Sequence, residues 1–249
     1  MSEVSPPEDL AFPAAFRYIA FFDLLSDAIF QHRHAAEAAT PELASRFARA
    51  SVLASALSIE CSANALLATL DLTKPLMAEL DKMSPLGKVE SCLRLLGVES
   101  FDRGRVEVAR VVELIKARND HVHPKATRMP GTIYAPQDGG AEWIVPMSFD
   151  GAHYENLDMP KLSMLWSESS SRAALVAVAG FYAYLFGELI KPPEHDLNVM
   201  LMPQMELGAA KGLAVHMPSV SDEIRCELQR AGAYGADFSC FGLFTKEAS

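Results

Sequence analysis

A chain of 249 residues, half of them hydrophobic, can bury a substantial core in one large or two small domains. Its net charge of −10 argues against broad nucleic-acid affinity, which needs Lys and Arg to neutralise phosphates, and leaves room only for a local basic site. The four cysteines, Cys61, Cys92, Cys226 and Cys240, form no CxxC, so neither a zinc knuckle nor a disulfide framework is expected.

The start, MSEVSPPEDL, is acidic and proline-rich, unlike a signal peptide, and residues 1–11 read as disordered. A helical bundle is expected over residues 12–192. Its first helix covers 11–39, with Phe16, Ile19, Ala20, Leu24, Ala28 and Phe30 as the apolar stripe. Near its end, His32-Arg33-His34 reads as a solvated face. Thr40-Pro41-Glu42 is a cap followed by proline at the first helical position, and it opens a long helix to about residue 70. This helix is rich in Ala and Ser, which lets a neighbour approach closely. Cys61 within it, like Cys92 further on, reads as a small core residue. Glu60 and Asn64 lie one turn apart, either as a solvent-facing pair or facing the polar cluster of a later helix. Lys74-Pro75 starts a short helix to about Leu80, and Ser84-Pro85 starts another, closed by Gly97.

The stretch Val106–Lys125, VEVARVVELIKARNDHVHPK, organises the rest. Val108, Val111, Val112, Ile115 and Val122 fall at helical spacing and predict one inward face. Asn119 lies on that stripe, and Arg118 sits one step round, in line with Val111 and Leu114. Pro124 pushes His123 out of helical dihedrals, so the helix ends near His121 or Val122. His123 is then free to turn toward Arg118 or toward a second chain. An arginine keeps its proton, while a histidine exchanges one near neutral pH. One holds a phosphate and the other moves a proton, which suits cleavage of a phosphodiester without a metal. The same residues also fit a purely structural network that caps a helix end and ties an interface. His121 reads as a helix-end residue.

Residues 126–158 break the helical pattern, and Thr132–Ala135 and Glu142–Phe149 are expected to pair as a β-hairpin around Gln137–Gly140. Asp158-Met159-Pro160 opens a last long helix to about Ile190. Its uncharged centre, Ala173–Gly187, is too short to span a bilayer and reads as buried, so a cytoplasmic chain without a membrane partner is expected. After Pro192-Pro193 comes a C-terminal extension, 193–249. It has Met- and Leu-rich runs (Leu197–Met202, Leu213–Met217) that read as extended, then a helix over Ser219–Ala231. Its apolar end, GAYGADFSCFGLF, packs on the bundle or on a partner. His153, His195 and His216 lie apart, and there is no glycine-rich phosphate loop, so neither metal nor cofactor is expected. The fold class is all-α: an up-down bundle of about five main helices with a small β-hairpin insertion and the C-terminal extension.

At Arg118–Pro124 the sequence resembles the HEPN superfamily, whose helical bundles carry an Arg and a His a few residues apart, often as R-N-x-x-x-H. Arg118-Asn119-(Asp120-His121-Val122)-His123 fits that spacing, and Pro124 follows as it does in many members. The order of elements also agrees: a long helix with Glu60 and Asn64, then Lys88–Gly97, then the motif helix, over roughly residues 12–190. The resemblance implies a homodimer in which two copies of the motif face each other. It also implies a metal-independent endoribonuclease of toxin or defence type. Arg118 would stabilise the phosphate charge, His123 would assist attack by the ribose 2′-hydroxyl or protonate the leaving oxygen, and Asn119 would fix the geometry. Glu60, Asn64, Asp120 and His121 would support them. Other members have lost activity and serve as binding or scaffolding modules. A small nucleotidyltransferase-like or antitoxin-like partner would favour the enzyme.

Overall fold

A computed structural model describes residues 14–125, 130–133, 147–149, 153–207, 214–215 and 220–243. The elements run β1 (Ala14–Arg17), α1 (Phe21–Ala36), α2 (Pro41–Leu67), α3 (Lys74–Leu80), α4 (Pro85–Leu95), α5 (Val106–Val122), β2 (Gly131–Ile133), β3 (Met147–Phe149), β4 (His153–Tyr154), β5 (Met159–Pro160), α6 (Glu168–Tyr182), α7 (Glu194–Leu201), β6 (Gln204–Leu207), β7 (Ala214–Val215) and α8 (Asp222–Arg230). A 3-10 turn at Ser163–Leu165 precedes α6, and a π-helical stretch, Ala183–Ile190, continues it. The chain is mostly helical.

The local signals at several boundaries act as their chemistry dictates. Thr40 accepts from the Leu43 N–H at 3.2 Å with Pro41 behind it, and Ser84 does the same for Gly87 ahead of α4. Gly97 takes the left-handed conformation (φ 71°) that ends α4. Beyond Val122, His123 leaves the helix at φ −119°, ψ 62°, as a residue before proline should.

Helix α2 is the hub. Ser51, Ser55, Ser58 and Ser62 lie fully buried on it, beside Ala48, Val52, Ile59 and Ala63. Side chains this small let α1 and α6 approach its backbone. Ser51 donates across to the Ala28 carbonyl of α1 at 2.7 Å, while Ser58 and Ser62 donate back to their own helix. The buried Tyr182 of α6 donates toward Ser62 at 3.2 Å and Ser58 at 3.4 Å. Helices α4 and α5 cover other parts of α2. The C-terminal segment closes the opposite side. Phe241 packs edge-on against Phe21, Phe22 and Tyr182 at centroid distances of 5.4–5.6 Å, and Phe238 is buried beside it.

Several expectations are corrected. The first helix does not cover 11–39: Phe16 lies on β1, is 63% exposed, and its strand pairs antiparallel with β6. The buried stripe of α1 is Phe21, Phe22, Leu25, Ala28 and Ile29, with Phe30 turned outward. Pro160 does not open the last helix; it pairs in a β4–β5 hairpin whose turn holds Asp158 at φ 49°, and α6 starts only at Glu168. Leu197–Leu201 is helical, not extended. The insertion hairpin forms with Thr132 opposite Ser148; its expected turn, Gln137–Gly140, and the expected disordered N-terminus lie outside the described residues. Cys92 is buried and Cys61 half-buried. Although Ala173–Gly187 is short, Glu168–Ile190 as a whole, like Pro41–Ala68, is long and apolar enough to cross a membrane; both bury most of that surface within the fold.

His32 is not solvated but fully buried. Ser171 Oγ donates to the Glu168 carbonyl at 2.8 Å and so accepts from His32 Nδ1–H, also at 2.8 Å. That leaves Nε2 buried without a hydrogen bond, 3.8 Å from the Glu168 carboxylate. Burial holds this imidazole below its ordinary 6.5, opposed by Glu168 and assisted by Arg172.

The core can be probed at two points. Truncating Phe241→Ala removes a ring from a well-packed cluster and should cost about 3–5 kcal/mol in denaturant unfolding; an effect under about 1 kcal/mol would show the C-terminal segment is not core. The unfolded chain takes up the His32 proton first, so stability present above pH 6.5 falls as pH drops toward the folded-state value and levels off below it. Urea midpoints measured across that range should slope less in His32→Gln than in the parent.

Candidate functional site

The end of α5 is tied down on three sides. Toward α2, Arg118 Nη2 donates to Glu60 Oε2 at 3.2 Å and Nη1 to Asn119 Oδ1 at 2.9 Å. Toward the β4–β5 hairpin, Asp120 accepts from the Tyr154 hydroxyl at 2.8 Å. About two and three turns earlier in α5, Glu113 caps the Asn156 and Leu157 N–H groups, and Arg110 donates to the Asn156 carbonyl. Toward the Ser163–Leu165 turn, His121 Nδ1 meets Ser163 Oγ at 2.8 Å, and its ring lies 5.4 Å from that of Trp166. Trp166 is itself fixed through Nε1, which donates to the Pro160 carbonyl.

Arg118, Asn119 and Glu60 border a pocket of about 150 Å³, completed by Ala56, Ser84, Pro85 and Ile115. The Arg118 side chain keeps 27% of its surface open and the Glu60 side chain 40%. An ion pair this exposed contributes roughly 0–1 kcal/mol. His123 is exposed, and its N–H closes the last helical bond to the Asn119 carbonyl at 2.9 Å. Among the described residues its imidazole has no hydrogen bond or ion pair, and it makes no bond to Arg118.

Of the residues singled out by sequence, Glu60, Arg118 and Asn119 therefore come together. Asn64 does not join them. It accepts from Lys88 Nζ at 2.7 Å, and the same buried ammonium binds Asp81 at 2.6 Å, so Asn64 serves the α2–α3–α4 junction. It borders a separate, mostly apolar cavity of about 440 Å³. The expected inward stripe of α5 is rotated: Val108, Val111, Leu114 and Ala117 are buried, Val112 and Val122 are 44% and 47% exposed, and Asn119 is exposed too. Asp120 is engaged by Tyr154, and His121 faces Ser163 rather than the Arg118 pocket. Tyr154, Ser163, Trp166 and Ser84 are not foreseeable as site neighbours from sequence. Nothing local marks them, because each is recruited from another part of the chain. Among the described residues no group of three or more His, Cys, Asp or Glu side chains stands close enough to hold a metal.

Burial lowers the His121 imidazole from its ordinary 6.5, and the Arg49 charge from α2 adds to this. No family model, curated protein or solved structure matches this chain.

His121 should titrate below 6.5 when its ring resonances are followed by NMR. Arg49→Ala removes a neighbouring positive charge and should move that midpoint upward; a midpoint above 6.5 in the parent, or a downward shift in the variant, contradicts this arrangement.

Proposed function

We propose that this chain is a HEPN-like helical bundle acting as a homodimer, in which Arg118, Asn119 and His123 form a metal-independent endoribonuclease site of toxin or defence type. The observation that carries this reading is the division of labour at the end of α5. Arg118 is held by Glu60 and Asn119 in an open pocket, while His123, released from the helix before Pro124, presents an imidazole with no hydrogen bond or ion pair among the described residues. The Arg118 guanidinium binds a non-bridging phosphate oxygen and stabilises the charge that builds on it. His123 takes the proton of the ribose 2′-hydroxyl as that oxygen attacks phosphorus. The 5′-oxygen leaves and takes a proton from a second imidazole, giving a cyclic phosphate and a free 5′-hydroxyl. Two copies of the motif across a dimer supply the base and the acid. An antitoxin-like or small nucleotidyltransferase-like partner would hold such an activity in check.

A second reading is favoured by the Arg118–Glu60 ion pair itself, which already neutralises the guanidinium. In it the motif is a non-catalytic tie within a binding or scaffolding dimer.

Incubation with single-stranded RNA in excess EDTA separates the two. The nuclease reading expects cleavage with cyclic-phosphate ends, reduced by about 10²-fold or more in His123→Ala and Arg118→Ala at unchanged helix content. Glu60→Gln should keep or raise RNA affinity. No cleavage at any protein concentration, with Arg118→Ala and Glu60→Gln instead lowering dimer stability in sedimentation, would establish the scaffolding reading.

A further inference from the structure

The first turns of α2 carry Arg46 and Arg49, which stand outside the site just described. Both line a groove of about 390 Å³ with Pro41, Glu42, Ser45 and Met164. Arg33, Arg103, Arg105, Arg118 and Arg230 are all ion-paired, whereas neither Arg46 nor Arg49 has an acidic partner among the described residues. Arg49 donates to the neighbouring Ser45 hydroxyl at 2.7 Å, and Glu42, though in the same groove, pairs with neither guanidinium. Arg17, Arg94, Arg110, Arg172 and Arg225 also form no salt bridge among the described residues; what sets Arg46 and Arg49 apart is that they share one groove, which in a chain of net charge −10 leaves a local positive site for an anion from outside.

The Ser163–Leu165 turn joins this groove to the end of α5. Ser45 donates to the Met164 carbonyl at 3.3 Å, and the adjacent Ser163 meets His121 at 2.8 Å. Arg49 lies close enough for its charge to act on His121, and helical spacing puts it with Arg46 on the same side of α2 as Glu60 of the Arg118 pocket. Eleven residues separate Arg49 from Glu60, about 16 Å of helix. A strand laid along that length carries more than one backbone phosphate.

We infer that the Arg46–Arg49 groove is the backbone-binding track for a single-stranded RNA whose scissile phosphate lies at Arg118. This rests on the proposed nuclease reading and adds to it how an acidic protein holds an anionic polymer: the affinity is concentrated in one short basic track. A single strand fits because in-line attack by the 2′-hydroxyl needs a backbone free to leave helical geometry.

The test uses the full chain carrying His123→Ala, so that the probe is not cut, and a fluorescent single-stranded oligoribonucleotide read by anisotropy over a salt series. Adding Arg46→Gln and Arg49→Gln together should weaken binding at least tenfold at low salt. It should also make the slope of log affinity against log salt shallower by about 1.4, because two phosphates are no longer neutralised, at about 0.7 each. Both side chains are solvent-accessible and Gln is a good helix former, so helix content and melting temperature should hold. Unchanged affinity and slope would overturn the track, as would RNA cleavage with an unchanged KM when Arg46→Gln and Arg49→Gln are placed in the chain with His123 intact; in the latter case the nuclease reading stands alone. If the parent binds RNA through these arginines but never cleaves it, the track stands and the catalytic reading falls. If the parent does not bind RNA at low salt, or if an acidic protein segment occupies the groove in its place, the track is wrong.

Discussion

The constraint on which the rest depends is the close approach that small residues allow along α2. With Ser51, Ser55, Ser58 and Ser62 fully buried, α1 and α6 press against the α2 backbone on one side. The hydroxyls that such an interface buries find acceptors at Ala28, Ser55 and Ile59, and Tyr182 reaches two of them from α6. Ser55 Oγ has no hydrogen bond among the described residues. A helix clamped in this way has little freedom to rotate. The remaining face of α2, carrying Arg49, Ala56 and Glu60, is thereby committed to α5 and to the Ser163–Leu165 turn. The meeting of Glu60 with Arg118 is a consequence of packing elsewhere in the bundle.

The same logic explains why the end of α5 is so well anchored just before a helix-terminating proline. Asp120 and His121 are tied to Tyr154 and Ser163, both from the segment between the insertion hairpin and α6. Consecutive residues on a helix point about 100° apart. Arg118, Asp120 and His121 therefore reach three different neighbours, and what remains outward is Asn119, Val122 and His123. An exposed imidazole at the end of a rigidly anchored helix combines mobility of one group with fixed placement of its surroundings, which a proton-transfer role and an interface role would both use.

Much of this fold is legible in the sequence because its boundaries are chemical. Thr40-Pro41, Ser84-Pro85, Gly97 and Pro124 act through local hydrogen bonds and dihedral limits, and need no knowledge of what lies across the bundle. The burial of α5 is not legible in the same way. By spacing alone Val108, Val111, Val112 and Ile115 all fit one broad apolar stripe, and only contact with α2 and α6 buries Val108 and Val111 while leaving Val112 outside. His32 misleads for a related reason. Its partner Ser171 lies 139 residues away, and without that hydroxyl a histidine between Gln31 and Arg33 looks like surface. The β1–β6 pairing joins chain segments even further apart, and Phe16 fits an apolar helical stripe as well as it fits an edge strand. Within the site, spacing leaves Glu60 either facing solvent or facing Arg118, and the packing of α2 selects the second, while Arg46 and Arg49 gain meaning only once the Ser163–Leu165 turn folds beside them.

The Arg118–Glu60 contact is the point at which the two functional readings diverge in energy. Were the pair dry, separating it to admit a phosphate would leave a buried carboxylate uncompensated, at about 3–5 kcal/mol. It is not dry: both side chains keep a substantial open surface, and Glu60 lies at the rim of the pocket. At such exposure the pair contributes little, and water can solvate Glu60 when Arg118 turns to another anion. A phosphodiester offers the guanidinium two oxygens in the fork geometry it prefers, so the exchange trades a weak pair for a stronger, charge-assisted one. On these terms Glu60 acts under the nuclease reading as a positioning group, holding Arg118 in a usable rotamer while the pocket is empty and yielding to substrate at small cost. Under the scaffolding reading the same exposure makes it a weak tie, and a dimer would have to draw its strength from apolar surface such as Val112 and Val122 on the outward face of α5.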